Sequence, residues 1–519
     1  MDVEVAFLSL FAVATGVAMF TRWLKMPYTI ALVVAGLLLG SVETIHPPAL
    51  TKDLLYGVIL PGLVFEAAFH LDAGHFWRNK LAIHALAVPG VVVAIGLTAA
   101  LLTPLIDAQH FVEGFSLIHG VVFAALISAT DPIAVVALFK RLGAPKRLAV
   151  LMEGESLLND GTAVVLFTIV LAFASGGGGS FTHGALEFVR VVGLGVVLGL
   201  AVGFAASKVI QLVDDPMIEI TLTTLAAYGS FVVAESFHAS GVIATVAAGM
   251  LCGNYAAHTG MSPSTRVAVE TFWEYVAFAL NSVVFLLIGF EVEPHRLLEA
   301  WKPILAAYAV VTVGRAMVVY LVTAALRPTS ERIPWRWSTV LIWGGLRGGL
   351  SMVLVLGLPP AFGHRDLLVT ITFGVVLLSI LLQGLTMGPL LRRLGLVKMG
   401  GNQAYELHRT VARASQAALD ALARLDAQRA IHPEVTARLS AEWTQKRDQA
   451  EAAWRAIPVA EVAAMEEQAA VRTLLIVEKE QIQNAARHGT VGASTAEELL
   501  RELDSRLLAL EERAAPPAE

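Results

Sequence analysis

Charge is the scarcest ingredient of this 519-residue chain. Asp, Glu, Lys and Arg make up 15% of it and hydrophobic residues 56%, whereas an average soluble domain is roughly 25% charged. With a mean hydropathy of +0.68, an ordinary soluble globular protein is excluded and a membrane protein is left. Cysteine is almost missing: Cys252 stands alone, which rules out an internal disulfide and leaves the redox compartment open. No cysteine or histidine cluster accompanies the acidic residues of the apolar segments, so a soft-metal centre is excluded as well. The chain calls for no cofactor, and with a net charge of −6 it has no basic excess suited to nucleic acid. The first apolar stretch lacks a basic start, opening with Asp2 and Glu4, and it is read as a spanning helix and not a signal peptide.

What the chain does have is a series of apolar runs. A spanning helix needs about 20 such residues, and the runs number about thirteen. They cover Val3 to Phe20, Tyr28 to Gly40, Leu54 to Phe69, Ile83 to Leu105, Ser116 to Phe139, Leu148 to Ala174, Phe188 to Leu212, Met217 to Ala234, Ser240 to Tyr255, Phe272 to Phe290, Ile304 to Leu326, Trp337 to Leu358 and Leu367 to Leu391. Basic residues gather in alternate loops, at Arg22 and Lys25, Arg78 and Lys80, Lys140 to Arg147, Lys208, Arg266, Arg327 to Arg336, and Arg392 to Lys398. The other loops hold only Lys52, Arg190, Arg296, Lys302 and Arg365. The positive-inside rule then places the N-terminus outside and the C-terminus in the cytoplasm of a multi-pass cell-membrane protein.

Ser175-Gly176-Gly177-Gly178-Gly179-Ser180 reads as a flexible linker between two six-helix units of opposite orientation. Such inverted repeats hold their substrate near the midplane, in interrupted helices at matching positions. The fifth run is interrupted at Asp131-Pro132, and the twelfth should break at Gly344-Gly345-Leu346-Arg347-Gly348-Gly349, although glycines also permit close helix packing without a break. Composition divides the chain into a transmembrane domain, 1–398, and a soluble-like helical domain, 399–519, with 14 basic and 19 acidic residues after Gly400. That acidic balance argues against anionic lipid. Val411, Ala414, Ala418 and Leu422 mark one face of an amphipathic helix there. Breaks are expected at Pro433, Pro458 and Gly489, and disorder at Ala514 to Ala518.

Two carboxylates, Asp131 and Asp160, lie deep inside apolar runs. A charge at the bilayer centre costs about 2.5 to 3.5 kcal/mol on the lenient insertion scale, so these residues point to ion handling. Ser156 and Asp160 are four apart and share a helix face, while Glu155 and Asn159 share another, rotated by about 100°. Asp131, the Thr130 hydroxyl and the Thr130 carbonyl freed by Pro132, with Asn159 as a further candidate ligand, complete an all-oxygen set suited to a small hard cation such as Na⁺. The plainer reading makes these acids structural, each paired with a buried arginine, Arg315 or Arg347. It is preferred for Glu155, and Arg347 is read as compensating carbonyls at a helix break. A dehydrated carboxylate is inexpensive only when a proton or a cation neutralises it, and the two compete for the same oxygens. If only a loaded site can change sides, exchange is obligatory.

These segments, Thr130-Asp131-Pro132, Glu153-Gly154-Glu155-Ser156-Leu157-Leu158-Asn159-Asp160-Gly161 and Gly345-Leu346-Arg347-Gly348, resemble the sodium/proton antiporters of the NhaP and NHE type. Leu60 to Ala67 and Phe285 to Gly289 are similar to the same family, and the likeness covers most of residues 1–398. It implies an all-α fold of thirteen transmembrane helices, a homodimer in the bilayer, and elevator-like movement of a core against a dimerisation subdomain. It also implies Asp131, Ser156, Asp160 and the Thr130 carbonyl as Na⁺ ligands, a Glu155–Arg315 pair, and for Glu66 either a water-mediated role at the site or an ordinary interface role. Asn159 before Asp160 looks like the electroneutral branch, hence one cation for one proton. The expected function is a secondary transporter, not an enzyme, exchanging Na⁺ or Li⁺ for H⁺ in pH homeostasis and salt tolerance. K⁺/H⁺ exchange, a transporter-like sensor signalling through the tail, and an aspartyl hydrolase built on Asp131 and Asp160 are the competing readings. His119, His238 and His258 are candidate pH sensors or simply interfacial residues.

Overall fold

The computed structural model describes residues 3–24, 28–40, 54–109, 114–176, 181–291, 293–396, 401–428, 432–455, 459–487 and part of 490–506. The expectations for Lys25, Lys52, Gly177 to Ser180, Lys398, Pro458, Gly489 and the last residues lie outside them, as does the His258 side chain. The described residues are all-helical, with no strand. Among the described residues seven helices are long and apolar enough to cross a membrane, and shorter apolar helices of 10–17 residues accompany them.

The first unit comprises Met1–Arg141 and Lys146–Leu394. Its elements begin with α1 (Val3–Leu24), α2 (Tyr28–Gly40) and a π turn at Leu55–Ile59 that runs into α3 (Leu60–His70). After the short α4 (Ala73–Arg78), the fourth apolar run is two helices, α5 (Lys80–Ala87) and α6 (Pro89–Ala108). Pro89 lacks an amide hydrogen and disfavours helical geometry at Val88, so the ladder restarts there. Then come α7 (Leu117–Leu126), α8 (Ile133–Leu142), α9 (Lys146–Ala174), α10 (Phe181–Ile210), α11 (Pro216–Ser236) and α12 (Gly241–Leu251), the last continued by a π turn at Cys252–Ala256 and by α13 (Ala257–Thr259). The series continues with α14 (Pro263–Glu291), α15 (Pro294–Glu299), α16 (Trp301–Leu326), α17 (Trp335–Trp343) and α18 (Gly349–Leu356). It closes with α19 (Arg365–Leu378), a π turn at Ser379–Gln383 and α20 (Gly384–Arg393).

Helix contacts sort these elements into two packing groups. One joins α1, α2, α3, α10, α11, α12 and α14; the other joins α5, α6, α7, α9, α16, α17, α18 and α19. Helix α9 belongs to the second but also touches α3, α10 and α12, so the segment with Ser156 and Asp160 runs along the boundary. Within the first group, α2 and α14 cross closely because Gly36 and Gly289 face one another: a side chain at either would meet the other helix's backbone. Without hydrophobic drive between helices in lipid, such small-residue contacts let backbones approach. Trp273, Phe65, Phe69 and Cys252 form a buried cluster nearby, and the Trp273 indole satisfies its N–H on Thr223 Oγ1 at 3.1 Å.

The second unit comprises Leu142–Pro145 and Gly395–Glu519. It holds α21 (Gly401–Ala427), α22 (Pro433–Arg455) and α23 (Val459–Arg487). Pairings of Tyr405 with Trp454, Gln416 with Arg447 and Asp426 with Thr436 give α21 and α22 an antiparallel register. The stripe expected from the sequence is partly displaced. Leu422 is buried and Val411 and Ala418 half-buried, but Ala414 is exposed and Ala412 and Ser415 are buried in its place. Alanines flank both sides of the helix, so their small size does not define a face; the register against α22 does.

Candidate functional site

Two interrupted helices carry the site. Helix α7 stops at Leu126 and α8 begins at Ile133, because Pro132 has no amide to continue the ladder. Helix α17 stops at Trp343 and α18 begins at Gly349, across the glycine-rich stretch where the sequence left a break or close packing open. The two breaks lie against each other: the Asp131 amide donates to Leu346 O at 2.8 Å. Each break also exposes carbonyls at a helix C-terminus, where positive charge is favoured. Arg347 Nη1 donates to Ser128 O at 2.9 Å and Ala129 O at 3.2 Å, and Arg315 Nη2 donates to Leu341 O at 3.2 Å. Thus an arginine serves each broken end.

Helix α9 brings the polar residues to the first break. Ser156 Oγ donates to Thr130 O, while Asn159 Nδ2 donates to Ser128 O at 3.0 Å and Thr130 Oγ1 at 2.9 Å. The Asn159 amide nitrogen is therefore engaged in holding the unwound segment. One turn from Ser156, Asp160 faces the Thr130 backbone and the Asp131 carboxylate, and its Oδ1 is buried with no hydrogen-bond partner. Asp131 is differently placed. Its Oδ1 accepts the Ile133 amide at 3.0 Å, closing the first turn of α8, and its other oxygen lies against Gly348.

Gly348 has no room for a side chain. A Cβ there would come within 2.6 Å of Asp131 Oδ2 and 2.9 Å of its Cγ. Both atoms belong to a carboxyl group pinned at Ile133, so relief requires the breaks to separate. Gly348→Ala is expected to cut exchange by roughly tenfold or more, since overpacking typically costs about 1 to 3 kcal/mol; initial rates in proteoliposomes at matched protein content check this.

Glu155 points away from these oxygens. Its carboxylate receives Arg315 Nη1 and Nη2, both at 2.7 Å, with the two residues only 1% and 7% exposed. Glu66 sits on α3 beside His70, whose Nδ1 lies 3.3 Å from Glu66 Oε1 and 3.0 Å from Glu66 O; no direct bond to the Asp131 and Asp160 group is among its contacts. Of the candidate sensors, His119 packs at 4.8 Å against His364 and caps α7 through Ser116, and His238 occupies an exposed left-handed turn.

The transmembrane sodium/hydrogen exchanger family matches residues 8–393. The chain belongs to that family. The exchanger is 38% identical over 398 residues to the Na(+)/H(+) antiporter ApNhaP of Aphanothece halophytica, covering 75% of each chain. It is 36% identical to the Na(+)/H(+) antiporter NhaP of Pseudomonas aeruginosa, covering 76% of this chain and 97% of that one. The Na(+)/H(+) antiporter NhaS2 of Synechocystis matches at 32% identity over 97% of this chain and 93% of its own, so the likeness extends there through the tail. In fold, the exchanger matches the sodium proton antiporter MjNhaP1 of Methanocaldococcus jannaschii with a TM-score of 0.63 at 18% identity, covering 77% of this chain and 100% of that one.

Several of the exchanger's site groups were not singled out from the sequence. The carbonyls of Ser128, Ala129, Leu341 and Leu346 carry no residue signature. Ser379 does: its hydroxyl accepts the Arg347 amide at 3.0 Å, and it and Gln383 are polar residues four apart in the last apolar run, a pattern that is costly in lipid without a role.

Proposed function

We propose that this exchanger is a secondary antiporter that trades Na⁺ or Li⁺ for H⁺, one for one, by alternating access. The observation that carries the reading is the buried, unpartnered Oδ1 of Asp160, in a carboxylate that faces Asp131 and the Thr130 backbone one helical turn from the Ser156 hydroxyl that bonds Thr130 O. An unpaired carboxylate oxygen away from water is costly, and either a proton or a small cation removes that cost. Since both occupy the same oxygens, arrival of one expels the other. The Ser156–Thr130 hydrogen bond holds two neutral ligands at fixed spacing, and Asn159 locks the unwound segment, so the cage is preorganised and Asp160 supplies the exchangeable charge. Relatives named as Na(+)/H(+) antiporters over three quarters of this chain support the same assignment.

Asn159 bears no charge, so the cage contains two carboxylates, with Asp131 committed at one oxygen to α8. One proton against one cation then moves no net charge. Exchange in proteoliposomes is expected to vary by less than about twofold when a K⁺/valinomycin potential of 100 mV is imposed, whereas moving one net charge through it would change the driving force by about 2.3 kcal/mol. A strong potential dependence overturns the 1:1 stoichiometry. Dequenching of a pH-sensitive dye by Na⁺, Li⁺ and K⁺ in turn identifies the cation, K⁺/H⁺ exchange being the alternative, and lack of response to all three favours a sensor acting through the tail. The further assignments are a homodimer in the cell membrane, the N-terminus outside, and residues 399–519 as a cytoplasmic regulatory domain, with roles in pH homeostasis and salt tolerance.

A further inference from the structure

A second polar cluster lies behind the site. Arg315 Nε, Tyr308 Oη and Gln383 Oε1 are each buried without a well-formed hydrogen bond, although Tyr308 and Gln383 stand close enough to interact side chain to side chain, and all three residues line one cavity of about 10 Å³ together with Gly345, Arg347 and Ser379. Gln383 is 4% exposed and Arg315 7%. Three polar groups without a well-formed bond in one small space are not explained by the salt bridge, which uses only the terminal nitrogens of Arg315.

The chemistry of the three atoms selects the occupant. The Arg315 Nε–H donates, Gln383 Oε1 accepts, and the tyrosine hydroxyl does either. One water molecule meets all of them, accepting from arginine and donating to the glutamine carbonyl, and a single water needs roughly 10 to 15 Å³ of this kind of space. A cation is repelled by Arg315 and Arg347. An anion larger than water does not fit and would face the glutamine oxygen.

The backbone is built around this point. Ser379–Gln383 is a π turn, a form rare enough to mark functional positions. The same turn presents Ser379 to the Arg347 amide and Gln383 to the cavity. We propose that this cavity is an ordered-water site, and that Tyr308 and Gln383 act through it as positioning residues for exchange. The water ties the last membrane segment to Arg315, and through Arg315 to Glu155 on the helix that carries Asp160. Beside it, Ser379 ties the same segment to the break whose Leu346 carbonyl holds Asp131. The effect on exchange rests on the antiport reading; the water itself does not.

The test has two arms on the full-length protein. A high-resolution structure should carry a density peak within about 3 Å of Arg315 Nε, Tyr308 Oη and Gln383 Oε1; a dry cavity overturns the proposal whatever the transport result. In proteoliposomes, Gln383→Leu and Tyr308→Phe should each raise the half-saturating Na⁺ concentration about fivefold to tenfold, the worth of roughly one buried hydrogen bond, with maximal rate held within about twofold. Gln383→Glu keeps the acceptor and should return the half-saturation toward the parent value. Unchanged half-saturation in both folded variants, or an equal loss of maximal rate in all three, overturns the positioning role. If the parent protein itself fails to exchange Na⁺ while the density is present, the antiport reading falls and the water site stands.

Discussion

Asp160→Asn is expected to reduce Na⁺-driven proton release to the level of protein-free liposomes, a fall of roughly a hundredfold or more. The amide neither carries the exchanged proton nor neutralises the ion. With Asp160 neutral, Na⁺ keeps only Asp131, one of whose oxygens is already engaged by the Ile133 amide; the ion is then under-compensated in a water-poor site, at a cost of several kcal/mol, and each ~1.4 kcal/mol is a factor of ten in rate. The substitution is nearly isosteric and Asp160 Oδ1 has no hydrogen-bond partner to lose, so thermal unfolding in detergent should stay within a few degrees of the parent. Calorimetry supplies the decisive contrast: adding Na⁺ to the parent should release protons into buffer, and adding it to the variant should release none. Exchange persisting in Asp160→Asn, or cation binding by the parent without proton release, removes competition at one carboxylate as the mechanism.

The second large effect belongs to Glu155 and Arg315. Their two 2.7 Å bonds lie between α9 and α16, and Arg315 also supports the end of α17. Truncating one partner leaves the other's charge buried and alone, which typically costs about 3 to 5 kcal/mol. Glu155→Ala is therefore expected to lower the unfolding temperature of the detergent-solubilised protein sharply and to reduce its yield. Replacing both together, Glu155→Leu with Arg315→Met, should recover most of that loss, because an apolar pair of similar volume needs no charge compensation. A double variant as unstable as the single one would mean that Arg315 matters chiefly for the Leu341 carbonyl and its surrounding polar groups. Exchange by the double variant separates a structural pair from one required for transport.

Much of this arrangement was legible because membranes make polar residues conspicuous. Asp131 and Asp160 stood out since charge is scarce in apolar runs, and Pro132 marked the first break because it cannot donate. The glycine run around Arg347 left two outcomes open, and the interrupted one is found. Other features left no such trace. A π turn inserts without a composition signature, so Ser379–Gln383 read as continuous helix. Backbone acceptors have no sequence identity, so the partners of Arg347 emerged only with the fold. Glu66 illustrates a local signal passed over: His70 lies four residues on, the helical spacing at which the two side chains meet. In the tail, alanines on several faces of α21 concealed which stripe would be covered.

The sequence by itself determined that this chain lives in a membrane, that its acidic residues are too costly there to be incidental, and that the helix carrying Pro132 must be interrupted, because transfer costs and backbone donor chemistry belong to individual residues. Only the tertiary structure decided that the two breaks meet, that Asp131 is half committed to its own helix while Asp160 keeps an oxygen unpartnered, and that two arginines serve the broken ends. Those outcomes depend on distances between segments hundreds of residues apart, set by how small and large side chains pack, and no local pattern encodes them.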